Sequence, residues 1–147
     1  MDLSPRWILV GSTAMALQGA PLKPHDIDIK TTAEDVYLME KALIEYSMLP
    51  VVYRTSKKFR SHFGKLKIEG VMVEIMGGLE IWHPERGWIT SASPQEYRHV
   101  IEVEGMNLPV LDPSYSILTN RWIGRNERAD LVEKWYKSQQ NSTFRSE

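Results

Sequence analysis

The sequence predicts an α+β domain built on a mixed sheet. Three observations carry that prediction. The first third alternates apolar runs with helical patterns in the order β-α-β-α, the middle is dominated by strand patterning, and the last third holds two helical segments separated by a glycine. Taking the elements in order, Trp7 to Val10 is a fully apolar run stopped by Gly11, as expected of a buried strand. Ser12 to Gly19 reads as a short helix, with Ser12 as N-cap, Ala14 to Leu17 as strong helix formers and Gly19 as the stop. Pro21 and Pro24 frame a loop. Asp26-Ile27-Asp28-Ile29-Lys30 alternates polar and apolar residues, which is the period of a strand.

Thr32-Ala33-Glu34-Asp35 supplies a hydroxyl cap and first-turn acids for a second helix. Val36, Met39, Leu43 and Tyr46 then recur at helical spacing, and Pro50 is expected to end the element. Lys65–Ile68 and Val71–Met76 flank Glu69-Gly70, the pattern of a two-residue hairpin. A second strand pair, Val100–Val103 and Leu108–Leu111, is expected around Glu104 to Asn107. Asp112-Pro113 is a cap followed by proline at the first helical position, opening a helix toward Trp122. Gly124 breaks that helix, Asn126 recaps it, and the pattern continues to about Gln139.

Composition bounds the function classes. At 147 residues the chain is expected to form one domain, residues 1–147, around one core. The 18 Lys+Arg and 19 Asp+Glu leave a net charge of −1, which removes a broad basic surface for coating nucleic acid. With no cysteine there is no disulfide framework and no zinc-thiolate site, in keeping with a cytoplasmic setting. No apolar run approaches a membrane span, and Gly11-Ser12 interrupts the only N-terminal apolar stretch, so neither an anchor nor a signal peptide is expected.

The segment that carries chemistry is Gly11-Ser12, thirteen intervening residues, then Asp26-Ile27-Asp28. A strand that delivers Gly-Ser into a helix start presents unpaired backbone N–H groups, and glycine permits close approach of a phosphate. Asp26 and Asp28 differ by two residues, so a strand would project both carboxylates from one face and turn Ile27 and Ile29 into the core. Two carboxylates side by side repel unless a cation lies between them, and hard divalent ions take such oxygen ligands together with substrate phosphates. Glu74 is the candidate third acid, being the one charged residue of the apolar run Val71–Met76. Such a triad suits in-line displacement at phosphorus, with two ions about 3.5–4 Å apart in sites of this type.

Gly11-Ser12, Asp26-x-Asp28 and Glu74 between Val73 and Ile75 together resemble the signature of the DNA polymerase β-type nucleotidyltransferase superfamily. Its short single-domain members, the minimal nucleotidyltransferases and the toxin–antitoxin relatives, are the most similar. The likeness spans a motif core of about residues 7–80. It extends through Ile123-Gly124-Arg125 to the C-terminal helices at about 113–139. The resemblance implies a mixed sheet with helices on one side and a C-terminal helical pair. It implies Asp26, Asp28 and Glu74 as catalytic metal ligands for Mg²⁺, one ion or two, with Mn²⁺ as a substitute. It further implies Gly11, Ser12, Lys23 and His25 at the nucleotide. The implied reaction moves a nucleoside monophosphate from a nucleoside triphosphate, ATP for example, to a hydroxyl of a small molecule, a protein or an RNA end, releasing pyrophosphate. A small helical protein is the partner expected if the chain instead serves as an antitoxin-type or nucleotide-sensing module. One departure is local: Lys23-Pro24-His25 stands where many relatives place an arginine and a threonine.

Other candidates have plainer readings. Lys57, Lys58 and Arg60 read as a solvated basic loop or as phosphate contacts, and Arg125 and Arg128 as helix-end charges and surface pairs, with phosphate contact as the lesser alternative. His62, His83 and His99 show no metal-ligand spacing, and Trp82 and Trp88 read as packing, with base stacking as the alternative.

Overall fold

The segment carrying the paired aspartates leads into the middle of an eight-stranded sheet, in a computed structural model that describes residues 6–145. In chain order the described elements are β1 (Ile8–Val10), α1 (Gly11–Leu17), β2 (Ile27–Thr31), α2 (Asp35–Ala42), a 3₁₀ turn (Ile44–Tyr46), β3 (Ser47–Thr55), β4 (Phe59–Ile68), β5 (Val71–His83), β6 (Gly87–Thr90), β7 (Arg98–Val103), β8 (Met106–Leu111), α3 (Pro113–Trp122) and α4 (Asn126–Arg145). The strand order is β3-β4-β5-β2-β1-β8-β7, with β6 paired to the far end of β5. The β1–β8 and β2–β5 pairs are parallel and the remaining pairs antiparallel, so the sheet is mixed, as the sequence predicts. No described helix is long and apolar enough to cross a membrane.

Register decides what each face of the sheet carries. Val10, Asp28, Glu74 and Lys65 are paired in one row across β1, β2, β5 and β4. The next row along holds Ile8, Lys30, Met76 and Phe63. Directly paired residues share a face, so both rows face the same way. The opposite face carries Ile27, Ile29, Val73 and Ile75, which pack with Val51, Leu66 and Val36 of α2. Gly77 lies on that face beside Thr31 and lets α2 close on the sheet: a Cβ there would sit 2.7 Å from Val36 Cγ1 and against the Thr32 carbonyl. A second cluster joins Ile8, Ala14, Met15, Val110, Tyr115 and Val132, tying α1, α3 and α4 to β1 and β8.

Several local expectations hold, and their chemistry is visible. Glu69 and Gly70 form the hairpin turn with φ of 50° and 83°, the left-handed pair such a turn requires. Asp112 accepts from the Ser114 N–H at 2.8 Å, with Pro113 at the helix start. Thr32 Oγ1 accepts from the Asp35 N–H at 3.1 Å, as a hydroxyl cap should.

The structure corrects others. The helix begins at Gly11, with Val10 in the cap position and no side-chain cap, so Ser12 is not the N-cap. α2 stops at Ala42, and Leu43 and Tyr46 belong to the 3₁₀ turn region; Pro50 lies inside β3, where an edge strand tolerates its missing donor. The second hairpin turns tightly at Glu104-Gly105, and α4 runs past Gln139 to Arg145. The helices also divide between the two faces instead of gathering on one. α2 covers the Ile29 face, whereas α3 brings Tyr115 over Lys30 on the other, its ring centroid 5.4 Å from Nζ.

Gly77→Ala is expected to destabilise the chain by about 1–3 kcal/mol, because the added methyl overpacks the α2 contact. Urea denaturation of the variant would measure it, and an unchanged midpoint would contradict the packing described here.

Candidate active site

The Asp28–Glu74 register pair puts two carboxylates in contact at the centre of the sheet. Asp28 is pushed up to about 7, first by burial, then by its hydrogen bond to Glu74 and by the Glu74 and Asp26 charges, with Arg128 opposing. Among the described residues its Oδ1 is a buried oxygen without a hydrogen-bond partner. Glu74 has a cation beside it: Lys65 Nζ stands 3.7 Å from Oε1 in the same cross-strand row. Gly11 closes the other side. Its φ is +70°, and a Cβ there would come 2.5 Å from Asp28 Oδ2, so bare backbone is what lets the strand-to-helix turn lie against the carboxylate.

A cavity of about 370 Å³ opens over this pair. Gly11, Ser12, Asp28 and Glu74 line it, so four of the seven expected site residues converge. Asp26 does not line it. It is exposed, one residue ahead of β2, and its carbonyl accepts from Thr13 Oγ1 at 2.5 Å, which fastens the loop to α1. Lys23 and His25 are exposed on the same loop and also lie outside the lining, although Leu22 belongs to it. Lys57 and Lys58 occupy the β3–β4 turn. Arg60 is held elsewhere, paired to Glu80 at 2.6 Å and stacked 4.6 Å from the Trp88 ring, which itself meets Trp82 edge-on. His62 hydrogen-bonds Tyr37 at 2.7 Å, and His99 bonds Asp112 at 2.5 Å.

The donor chemistry at the centre fits a hard divalent cation. Two carboxylates in contact, one with an unpartnered buried oxygen, need either a shared proton or a positive ion. Among the described residues no three acid, histidine or cysteine side chains converge, so the expected triad of Asp26, Asp28 and Glu74 is not assembled here: Asp28 and Glu74 meet and Asp26 stands apart.

Three further cations line the cavity, of which the sequence reading weighed two. Arg125, just ahead of α4, and Arg128, in its first turn, were read as helix-end charges with phosphate contact as the lesser alternative; Arg125 Cζ lies 5.7 Å from the Phe59 ring. Lys30 is the third. It is 4% exposed, donates to Ser91 Oγ and is pushed down to about 8 by burial, against an opposing pull from Glu96. Its signal was in the sequence: Lys30 shares the strand parity of Asp28, so period two already placed both on one face.

With the geometry in place, the likeness to known proteins takes on meaning. Residues 1–134 match the aminoglycoside-2''-adenylyltransferase family. No curated protein sequence matches the chain. Among solved structures the chain is similar to a candidate nucleotidyltransferase of Thermotoga maritima, at 35% identity and a TM-score of 0.76, over 90% of this chain and 83% of that one. It is also similar to the lincomycin-bound lincosamide antibiotic adenylyltransferase LnuA, at 13% identity and a TM-score of 0.52, over 86% and 85% of the two chains. A looser likeness, at 13% identity and a TM-score of 0.46 over 91% and 88%, is to ANT(2'')-Ia in complex with adenylyl-2''-tobramycin. The LnuA likeness shows the shared fold.

The depressed Lys30 predicts a pH signature. The folded chain releases this proton near pH 8 and the unfolded chain near its ordinary 10.5, so stability rises with pH between those values. Below that window the buried charge costs on the order of 3 kcal/mol. Lys30→Met is therefore expected to be more stable than the parent near neutral pH, with the gap closing as the pH rises through the window. Urea titrations of both proteins across that range would show it, and a constant gap would refute it.

Proposed function

The chain belongs to the aminoglycoside-2''-adenylyltransferase family, and from that premise we propose that it transfers a nucleoside monophosphate from a nucleoside triphosphate, ATP by preference, to a hydroxyl of a small-molecule acceptor. The acceptor oxygen bonds to the α-phosphorus, the bond from that phosphorus to the bridging oxygen breaks, and pyrophosphate departs with the electron pair. The hydroxyl proton leaves to solvent. The observation that carries this reading is the Asp28–Glu74 contact, with its unpartnered oxygen, on the floor of a cavity that also holds Gly11, Ser12, Arg125 and Arg128.

In this reading Asp28 and Glu74, with Asp26 as the third ligand, would hold Mg²⁺. What such an ion supplies is a lowered hydroxyl pKa and neutralised charge on the departing pyrophosphate. Arg125 and Arg128 take the triphosphate oxygens at the mouth, where guanidinium groups match them in charge and geometry. The bare backbone at Gly11 admits a phosphate close to Asp28, and the Ser12 hydroxyl donates to it. Lys23 and His25, exposed on the loop whose Leu22 enters the cavity, would reach the nucleotide from outside the lining. A net charge of −1 and a pocket of this volume favour a small acceptor over an RNA end.

Pyrophosphate release from labelled ATP with Mg²⁺ is the direct test. Asp28→Asn and Glu74→Gln are each expected to lower the rate about a hundredfold or more. Mg²⁺ should raise the Tm of the parent chain and leave that of Asp28→Asn unmoved. A parent chain that binds no ATP and shows no Mg²⁺ response would sink the proposal.

A further inference from the structure

Lys30 is a buried ammonium with donors to spare. It carries three N–H bonds, and among the described residues its hydrogen-bond partner is Ser91 Oγ alone, itself 3.5 Å from the Tyr115 hydroxyl. Met76 and Phe63 follow it in the same cross-strand row, Leu79 accepts from the Ser91 N–H and the Tyr115 ring lies across it, while the one acid acting on it, Glu96, stands outside the cavity lining. A buried cation whose donors are only partly used favours a ligand that brings an acceptor or an anion.

The charges of the whole cavity point the same way. Lys30, Arg125 and Arg128 stand against Asp28 and Glu74, and Glu74 already faces Lys65. Once the carboxylate pair is engaged at the phosphates, no acid remains in the lining for a polyamine to meet. We infer that the inner end of the cavity, at Lys30, Ser91 and Tyr115, is the acceptor subsite, and that it takes a flat apolar hydroxyl compound with a carboxylate or other anionic group, not a polycationic aminoglycoside.

This rests on the transfer reading above and specifies its acceptor. Lys30 and Asp28 are two residues apart on β2 and line the same cavity, so an acceptor held at Lys30 lies on the same sheet face as the carboxylate pair.

The test uses the full-length chain, calorimetric titration and three probes: 4-hydroxybenzoate, tobramycin and ATP. The expected result is millimolar or tighter binding of 4-hydroxybenzoate and none of tobramycin. Lys30→Met should weaken the 4-hydroxybenzoate affinity about tenfold or more and change that of ATP less than about twofold. Ser91→Ala, which keeps the charge and frees another donor, should hold or tighten 4-hydroxybenzoate. Tobramycin binding, no 4-hydroxybenzoate binding, or loss of both probes in Ser91→Ala would each overturn the assignment. Lys30→Met weakening ATP more than 4-hydroxybenzoate would overturn it too, by placing the nucleotide base in this pocket. The transfer reading fails separately, if 4-hydroxybenzoate binds as described yet no pyrophosphate is released with ATP and Mg²⁺.

Discussion

Two like charges on neighbouring parallel strands set the terms for the rest of this molecule. Pairing β2 with β5 in a register that aligns Asp28 with Glu74 places carboxylate against carboxylate in the middle of the sheet, where both are half-buried. Nothing in sheet formation favours that pairing, since directly opposed like charges destabilise a ladder. The apolar residues on either side supply the compensation. Ile27, Ile29, Val73 and Ile75 of the same two strands face the α2 core, and a slip by one residue would turn all of them to the wrong side. The hydrophobic face fixes the register, and the register imposes the charge contact.

The neighbouring elements read as responses to that contact. Lys65 balances Glu74 from the adjoining strand, Arg128 bears on Asp28 from the helix above, and Gly11 keeps side-chain atoms out of the space beside the carboxylate. None of these satisfies Asp28 Oδ1. An apolar protein interior keeps such an unsatisfied group only rarely, and sites that act on substrates are where it is retained. The same face holds the opposite charge one strand step away, in Lys30. The site is thus polarised along a single strand, with negative and positive groups separated by one intervening isoleucine.

How much of this was legible in the sequence follows from the range of each interaction. Asp26-x-Asp28, the Glu69-Gly70 turn and the Asp112-Pro113 cap are local, so the residues state them directly. Glu74 was legible because a lone acid in an apolar strand needs an explanation within that strand. The pairing of β3 around Pro50 was not, because an edge strand accepts proline only by virtue of neighbours far away in sequence. Arg125 and Arg128 were read first as helix-end charges for a related reason. Their approach to the cavity depends on Gly124, whose φ of 78° redirects the chain between α3 and α4, and no periodicity encodes that angle. The position of Asp26 outside β2 is a matter of a single residue, the scale at which strand ends are hardest to read.

The parallel pairing of β2 and β5 has a consequence in time. Asp28 and Glu74 stand 46 positions apart along the chain, and the arginines at the cavity mouth follow some fifty positions later still. A parallel pair cannot close through a hairpin, so α2, β3 and β4 must be made before the carboxylates meet. During synthesis the charge contact and the hydrophobic face that enforces it would arise together, once β5 is made, and the arginines that line the cavity would arrive last, with α4. A chain that stops before β5 lacks the paired carboxylates and one that stops before α4 lacks the arginines, so the cavity is complete only when nearly the whole sequence has emerged.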